Sequence, residues 1–156
     1  MEYHSCIATV FVVLFALLGL GIAVYDVRTG FIPDLLSIPF LLIALMHSVA
    51  TETWPFYGML VGGGFFAIQY FVSRGKWVGS GDIIVGTAIG AFLTGVPLTL
   101  VALVVAYVSA AACVMLLLVR KWKTSEGRIV FAPFLIFGAA VAFMWGEQLL
   151  QIYVTG

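Results

Sequence analysis

The 156-residue sequence predicts an all-α polytopic membrane bundle of six transmembrane helices, a single domain over residues 1–156 with both termini extracytoplasmic. The prediction follows from composition, from the length of the apolar runs and from where the basic residues fall. Hydrophobic residues make up 63% of the chain and charged residues 9%, against roughly 45 to 50% and about 25% in soluble proteins. The apolar residues are gathered into runs that suit the roughly 20 positions needed to cross a hydrocarbon core about 30 Å thick. All seven Lys and Arg residues (Arg28, Arg74, Lys76, Arg120, Lys121, Lys123 and Arg128) lie in alternate connectors.

Span one is expected over Ser5 to Val24, 20 positions without charge. It is preceded by Met-Glu-Tyr-His and lacks the positive flank and small-residue cleavage site of a removable signal peptide, so it is expected to remain as a span. Gly30 then suits a helix stop and Pro33 the first position of span two, about Leu35 to Ala50. Trp54 is placed as an interfacial anchor before span three, about Phe56 to Val72. The 37 uncharged residues from Ile83 to Val119 are too many for one span, and Gly95-Val96-Pro97 is the natural break. Spans four and five are therefore Asp82 to Thr94 and Pro97 to Val119, and span six runs from about Ile129 to Trp145.

With six spans every basic residue falls in the first, third or fifth connector, which the positive-inside rule assigns to the cytoplasm. A five-span chain would divide the basic residues between both faces.

A formal net charge of zero leaves nothing broad for a nucleic acid to bind. Cys6 and Cys113 form no CxxC or Cys/His spacing and read as small hydrophobes, so neither a metal site, a cofactor nor a structural disulfide is expected. Gly58-x-x-x-Gly62 and Gly86-x-x-x-Gly90 read as sites of close helix contact, within the chain or between copies. His47, late in span two, reads as a packed or interfacial histidine remote from Asp26 and Asp82.

An acid at the mouth of a membrane span is costly unless it is used or paired. Two such acids, Asp26 and Asp82, lie 56 positions apart, yet the topology puts both on the cytoplasmic side at similar depth. Asp82 alone has a plain alternative as a helix N-cap. Asp26 has a poorer one, because a carboxylate at a helix C-terminus opposes the dipole and needs Arg28 as a partner. Two facing carboxyls cannot both ionise cheaply, so such a pair shares a proton and offers one base and one acid. Gly79 and Gly81, in Gly79-Ser80-Gly81-Asp82, would let an extended backbone approach, or are plain turn residues. Asp34, after Pro33, is suited to stabilising the first turn of span two and is also a candidate contact for a basic substrate. A proton- or cation-binding transporter or scaffold is the competing class, but both acids lie at one face and no inverted repeat is present.

Three segments in order, Asp26 with Thr29-Gly30-Phe31-Ile32-Pro33-Asp34, Gly79-Ser80-Gly81-Asp82, and Ala132-Pro133-Phe134-Leu135-Ile136-Phe137-Gly138-Ala139, resemble the type IV prepilin peptidases and the related archaeal preflagellin peptidases. The resemblance implies a GxGD-type aspartic endopeptidase of the cytoplasmic membrane that removes the basic leader of pilin-like precursors, with Asp26 and Asp82 as the catalytic pair. Larger bacterial members carry an added region with paired cysteines and N-methyltransferase activity, to which nothing in this chain corresponds. Many members also have a lysine where this chain has Ile84. Tyr25-Asp26 and GxGD are similar as well to the presenilin group of intramembrane aspartyl proteases, but the Ile-Pro-Asp sequence and short length favour the prepilin side.

Overall fold

The computed structural model describes residues 2–119 and 130–155. Among them there are six helices and no strand: α1 (Glu2–Thr29), α2 (Asp34–Ala50), α3 (Phe56–Ser73), α4 (Ser80–Leu93), α5 (Val96–Val119) and α6 (Ala132–Thr155). Four are long and apolar enough to cross a membrane, over Cys6–Thr29, Phe56–Ser73, Val96–Leu116 and Ala132–Ile152. The chain is therefore a multi-pass membrane protein. Helix α2 has 17 residues and α4 has 14; at 1.5 Å per residue α4 extends about 21 Å, less than a hydrocarbon core of about 30 Å. The basic fifth connector lies outside the described residues.

Local chemistry explains most helix ends. Helix α1 runs past the expected Val24 as far as Thr29, and stops because Gly30 adopts φ +65° and returns its N–H to the Asp26 carbonyl at 2.7 Å. This left-handed position is costly for any residue with a Cβ. Pro33 lies just outside α2 at ψ 145°, rather than inside its first turn, and its carbonyl accepts the Leu36 and Ser37 N–H groups at 3.0 and 3.2 Å. Arg74 and Gly75, both at positive φ, close α3 by donating to Phe71 and Tyr70. The long apolar run breaks at Thr94 and Gly95, since α4 ends at Leu93 and α5 opens at Val96, with Pro97 inside its first turn. Helix α6 continues beyond the expected Trp145 to Thr155. Glu147 and Gln148 are exposed, so these polar residues extend the helix outward instead of ending it.

Helix α4 is the centre of the molecule, with ten of its fourteen residues buried. Its Gly86 and Gly90 face Gly62 and Gly58 of α3 so closely that a Cβ at Gly58, Gly62 or Gly90 would fall on the opposing backbone. The two small-residue motifs are thus one intramolecular crossing. On its other side α4 accepts a hydrogen bond from Ser48 Oγ of α2 to the Ala91 carbonyl at 2.8 Å. Phe40, Phe15, Phe92 and His47 stack in succession at centroid distances of 4.1, 4.0 and 4.4 Å, locking α1, α2 and α4 together.

Candidate active site

Asp26 occupies the last turn of α1 and is buried, at 5% exposure. A carboxylate there opposes the dipole of its own helix, but its Oδ2 accepts the N–H of Ala132, the first residue of α6, at 3.0 Å. The first N–H groups of a helix have no partner within it and carry the positive end of the dipole. The unfavourable end of α1 is thereby offset by the favourable end of α6.

Asp82 lies in the first turn of α4, at 9% exposure. Its Oδ2 accepts the N–H of Gly79, the residue that precedes the helix, at 2.9 Å. Each aspartate therefore meets a backbone N–H at the beginning of a helix, α6 for one and α4 for the other.

Both carboxylates line one cavity of about 290 Å³, bounded by the segment Gly30–Ile32, by Tyr70, Arg74 and Trp77 around the end of α3, by Gly79–Gly81, and by Val130 and Phe131 before α6. A cavity needs only about 10 to 15 Å³ to hold a water, so there is room for a nucleophilic water and a segment of chain beside it. A second cavity, about 560 Å³, lies at the other end of α4 and is lined by His47, Glu147 and Thr94 among others. It is larger but has a single carboxylate among its lining residues. His47 is buried against Phe92 and is distant in the fold from both aspartates.

The two glycines of the Gly79 to Asp82 stretch differ. A Cβ on Gly81 would meet Ile32 Cβ at 2.6 Å and the Ile32 carbonyl at 3.0 Å, so Gly81 has a packing role of its own: it lets the α1–α2 connector close over α4. A Cβ on Gly79 would meet little beyond the Asp82 carboxylate at 3.4 Å. Asp34 is exposed at the start of α2 and is absent from the cavity lining. Within the segment beginning Ala132-Pro133-Phe134, it is the Ala132 amide that reaches Asp26, while Val130 and Phe131 line the cavity. The sequence names Ile32 only within the family motif and Arg74 only for sidedness, and singles out neither Tyr70 nor Phe131; their approach to the cavity depends on contacts that no local pattern announces.

The model of the Type IV leader peptidase family matches residues 10–119, a stretch that contains both aspartates. Among curated proteins the chain is similar to Leader peptidase HopD of Escherichia coli, 29% identical over 147 residues that cover 87% of this chain and 91% of that protein. It is likewise similar to Leader peptidase HopD of Salmonella typhimurium, 29% identical over 137 residues, covering 83% of this chain and 88% of the relative. No solved structure matches the chain.

Proposed function

Because this chain belongs to the type IV leader peptidase family, we propose that it is an aspartic endopeptidase of the GxGD type, with Asp26 and Asp82 as its water-activating dyad. One observation carries the reading: two buried acids, 56 positions apart in sequence, line the same cavity, and each is held by a backbone N–H at a helix start. The ionised member takes a proton from a water, whose oxygen attacks the scissile carbonyl carbon. The protonated member gives its proton to the carbonyl oxygen, and a tetrahedral diol results. Collapse of the diol breaks the C–N bond, returns a proton to the dyad and places the other on the leaving amine. Either member can open the cycle.

The substrate class we infer is the pilin-like precursor, cut at the cytoplasmic face of the inner membrane. The charge distribution supports that side: the first and third connectors carry Arg28, Arg74 and Lys76, and the positive-inside rule assigns basic connectors to the cytoplasm, in line with the six-span topology with both termini outside that we propose. Both connectors also contribute to the cavity wall. Asp34, exposed two residues beyond the cavity-lining Ile32, supplies a negative charge for the basic leader.

The test is cleavage of a pilin-type precursor in detergent or vesicles by Asp26→Asn and Asp82→Asn, each of which keeps an acceptor for its backbone N–H. Each variant is expected to lose at least about 100-fold in rate, and full processing by either one overturns the dyad. In the same assay Asp34→Lys should be slower than Asp34→Asn; equal rates remove Asp34 from the substrate path.

A further inference from the structure

Hydrolysis of a peptide bond leaves a carboxylate where there was a neutral amide. Formed beside Asp26 and Asp82, that carboxylate meets a pair of acids that already carries negative charge, and like charges at close range repel. Among the described residues the cavity that holds both acids is lined by one cation, Arg74. We propose that Arg74 is a product-binding residue, whose guanidinium takes the new terminal carboxylate of the released leader and draws it away from the two acids. The inference rests on the peptidase reading above and adds to it a residue outside the acid pair.

The backbone of Arg74 adopts φ 53° and ψ 43°, a left-handed conformation that is comfortable for glycine and costly for a residue with a Cβ. Among the described residues Glu52, Arg74 and Thr94 have side chains and a positive φ, and of these Arg74 alone lines the acid cavity. A glycine at this position would end α3 without that cost, so the helix stop does not itself call for an arginine. Strain of this kind persists where the side chain is put to use.

The turn around Arg74 is tied down. The Arg74 N–H donates to the Phe71 carbonyl at 3.3 Å, the Gly75 N–H to the Tyr70 carbonyl at 2.8 Å and the Lys76 N–H to the Ser73 carbonyl at 3.2 Å. Ser73 Oγ accepts the Trp77 N–H at 3.2 Å. These bonds fix the root of the side chain at the cavity wall, while Arg74 as a whole is exposed. A fixed root and an accessible head suit a group that meets a ligand on its way out. The planar guanidinium offers paired donors that match the two oxygens of a carboxylate. The N–H groups of Gly79 and Ala132 are already engaged with the acids, so neither is spare for a third carboxylate. An anionic lipid headgroup could meet the same guanidinium, but the leader's carboxylate is generated inside the cavity that Arg74 lines and needs no path to reach it.

The test uses two labelled peptides of one pilin-type leader sequence, each ending at the scissile residue, one with a free carboxylate and the other with a carboxamide. Binding to the purified protein in detergent is read by fluorescence anisotropy, so a variant that no longer cuts can still be measured. The wild-type protein should bind the carboxylate about tenfold more tightly than the amide. In Arg74→Gly, which suits the left-handed backbone, the ratio should fall to within about twofold of unity, with no loss of melting temperature. Lys76→Gln removes a neighbouring cation that is absent from the cavity lining and should keep the wild-type ratio. Equal affinity of the wild-type protein for the two peptides, binding of neither, an unchanged ratio in Arg74→Gly, or the same loss in Lys76→Gln would each overturn the proposal, the first leaving an anionic headgroup as the partner of Arg74. A ratio lost together with more than about 5 °C of melting temperature would overturn it too, by making Arg74 a structural residue. The wild-type preparation is also assayed on the full precursor. Failure to cut it removes the peptidase reading, and this inference with it, whereas cutting combined with equal affinity for the two peptides removes the role of Arg74 alone.

Discussion

Asp26 and Asp82 each keep one oxygen on a backbone N–H, so the main chain takes part in orienting both acids. This matters for the glycines beside Asp82, whose two roles can be separated. Gly81→Ala forces its new methyl into Ile32 and should destabilise the protein by about 1 to 3 kcal/mol, visible as a lower melting temperature in detergent. Gly79→Ala meets only an ordinary contact with the neighbouring carboxylate and should leave the melting temperature within about 2 °C. If Gly79 keeps the cavity open for a peptide backbone, processing falls in Gly79→Ala all the same; normal processing would reduce Gly79 to a turn residue. The value of both acids was legible from their cost at a span mouth. Their partners were not, because Ala132 lies 106 positions from Asp26 and an amide N–H leaves no trace in a side-chain pattern.

Helix α4 carries Asp82 and has little freedom of its own. Its contact with α3 is backbone against backbone, Gly58 on Gly90 and Gly62 on Gly86, so any side chain there must push the helices apart. Gly62→Val is expected to cost about 3 kcal/mol or more and to reduce processing by displacing Asp82, whereas Gly64→Ala, where a Cβ would meet nothing within 4 Å, should be tolerated. Thermal unfolding of the two variants checks this; similar melting temperatures would mean that the crossing is looser than the structure has it. Spacing in the sequence marked both glycine pairs as contact sites but did not say that they meet each other. Pairing is a property of the assembled bundle, and a four-residue period carries no address. Helix lengths were missed for a related reason: α1 and α6 continue into polar residues, such as Asp26 and Glu147, that composition alone takes as exits from the bilayer.

For the whole molecule, sidedness is the property that decides which compartment supplies the substrate. The distribution of Lys and Arg was readable at once, since charge placement survives without any knowledge of packing. In a background with Cys6 and Cys113 replaced by alanine, Trp54→Cys should react with an impermeant maleimide added outside intact cells, and Lys76→Cys only after the membrane is opened. Labelling of both from outside would remove α3 as a span; the reverse pattern would invert the protein. The shape of the cavity around the two acids was not legible at all, because it is the space left between the ends of α1 and α3, the start of α4 and the segment before α6, and belongs to none of them alone.

The hydrogen bond from Ala132 to Asp26 joins the last helix to the first. A ribosome delivers α1 early and α6 late, so for most of synthesis the Asp26 carboxylate waits without this amide and the wall that Val130 and Phe131 provide is missing. The cavity is complete only when α6 enters the bundle. If this cavity is where cleavage takes place, a chain in the membrane that still lacks α6 stays silent toward its neighbours.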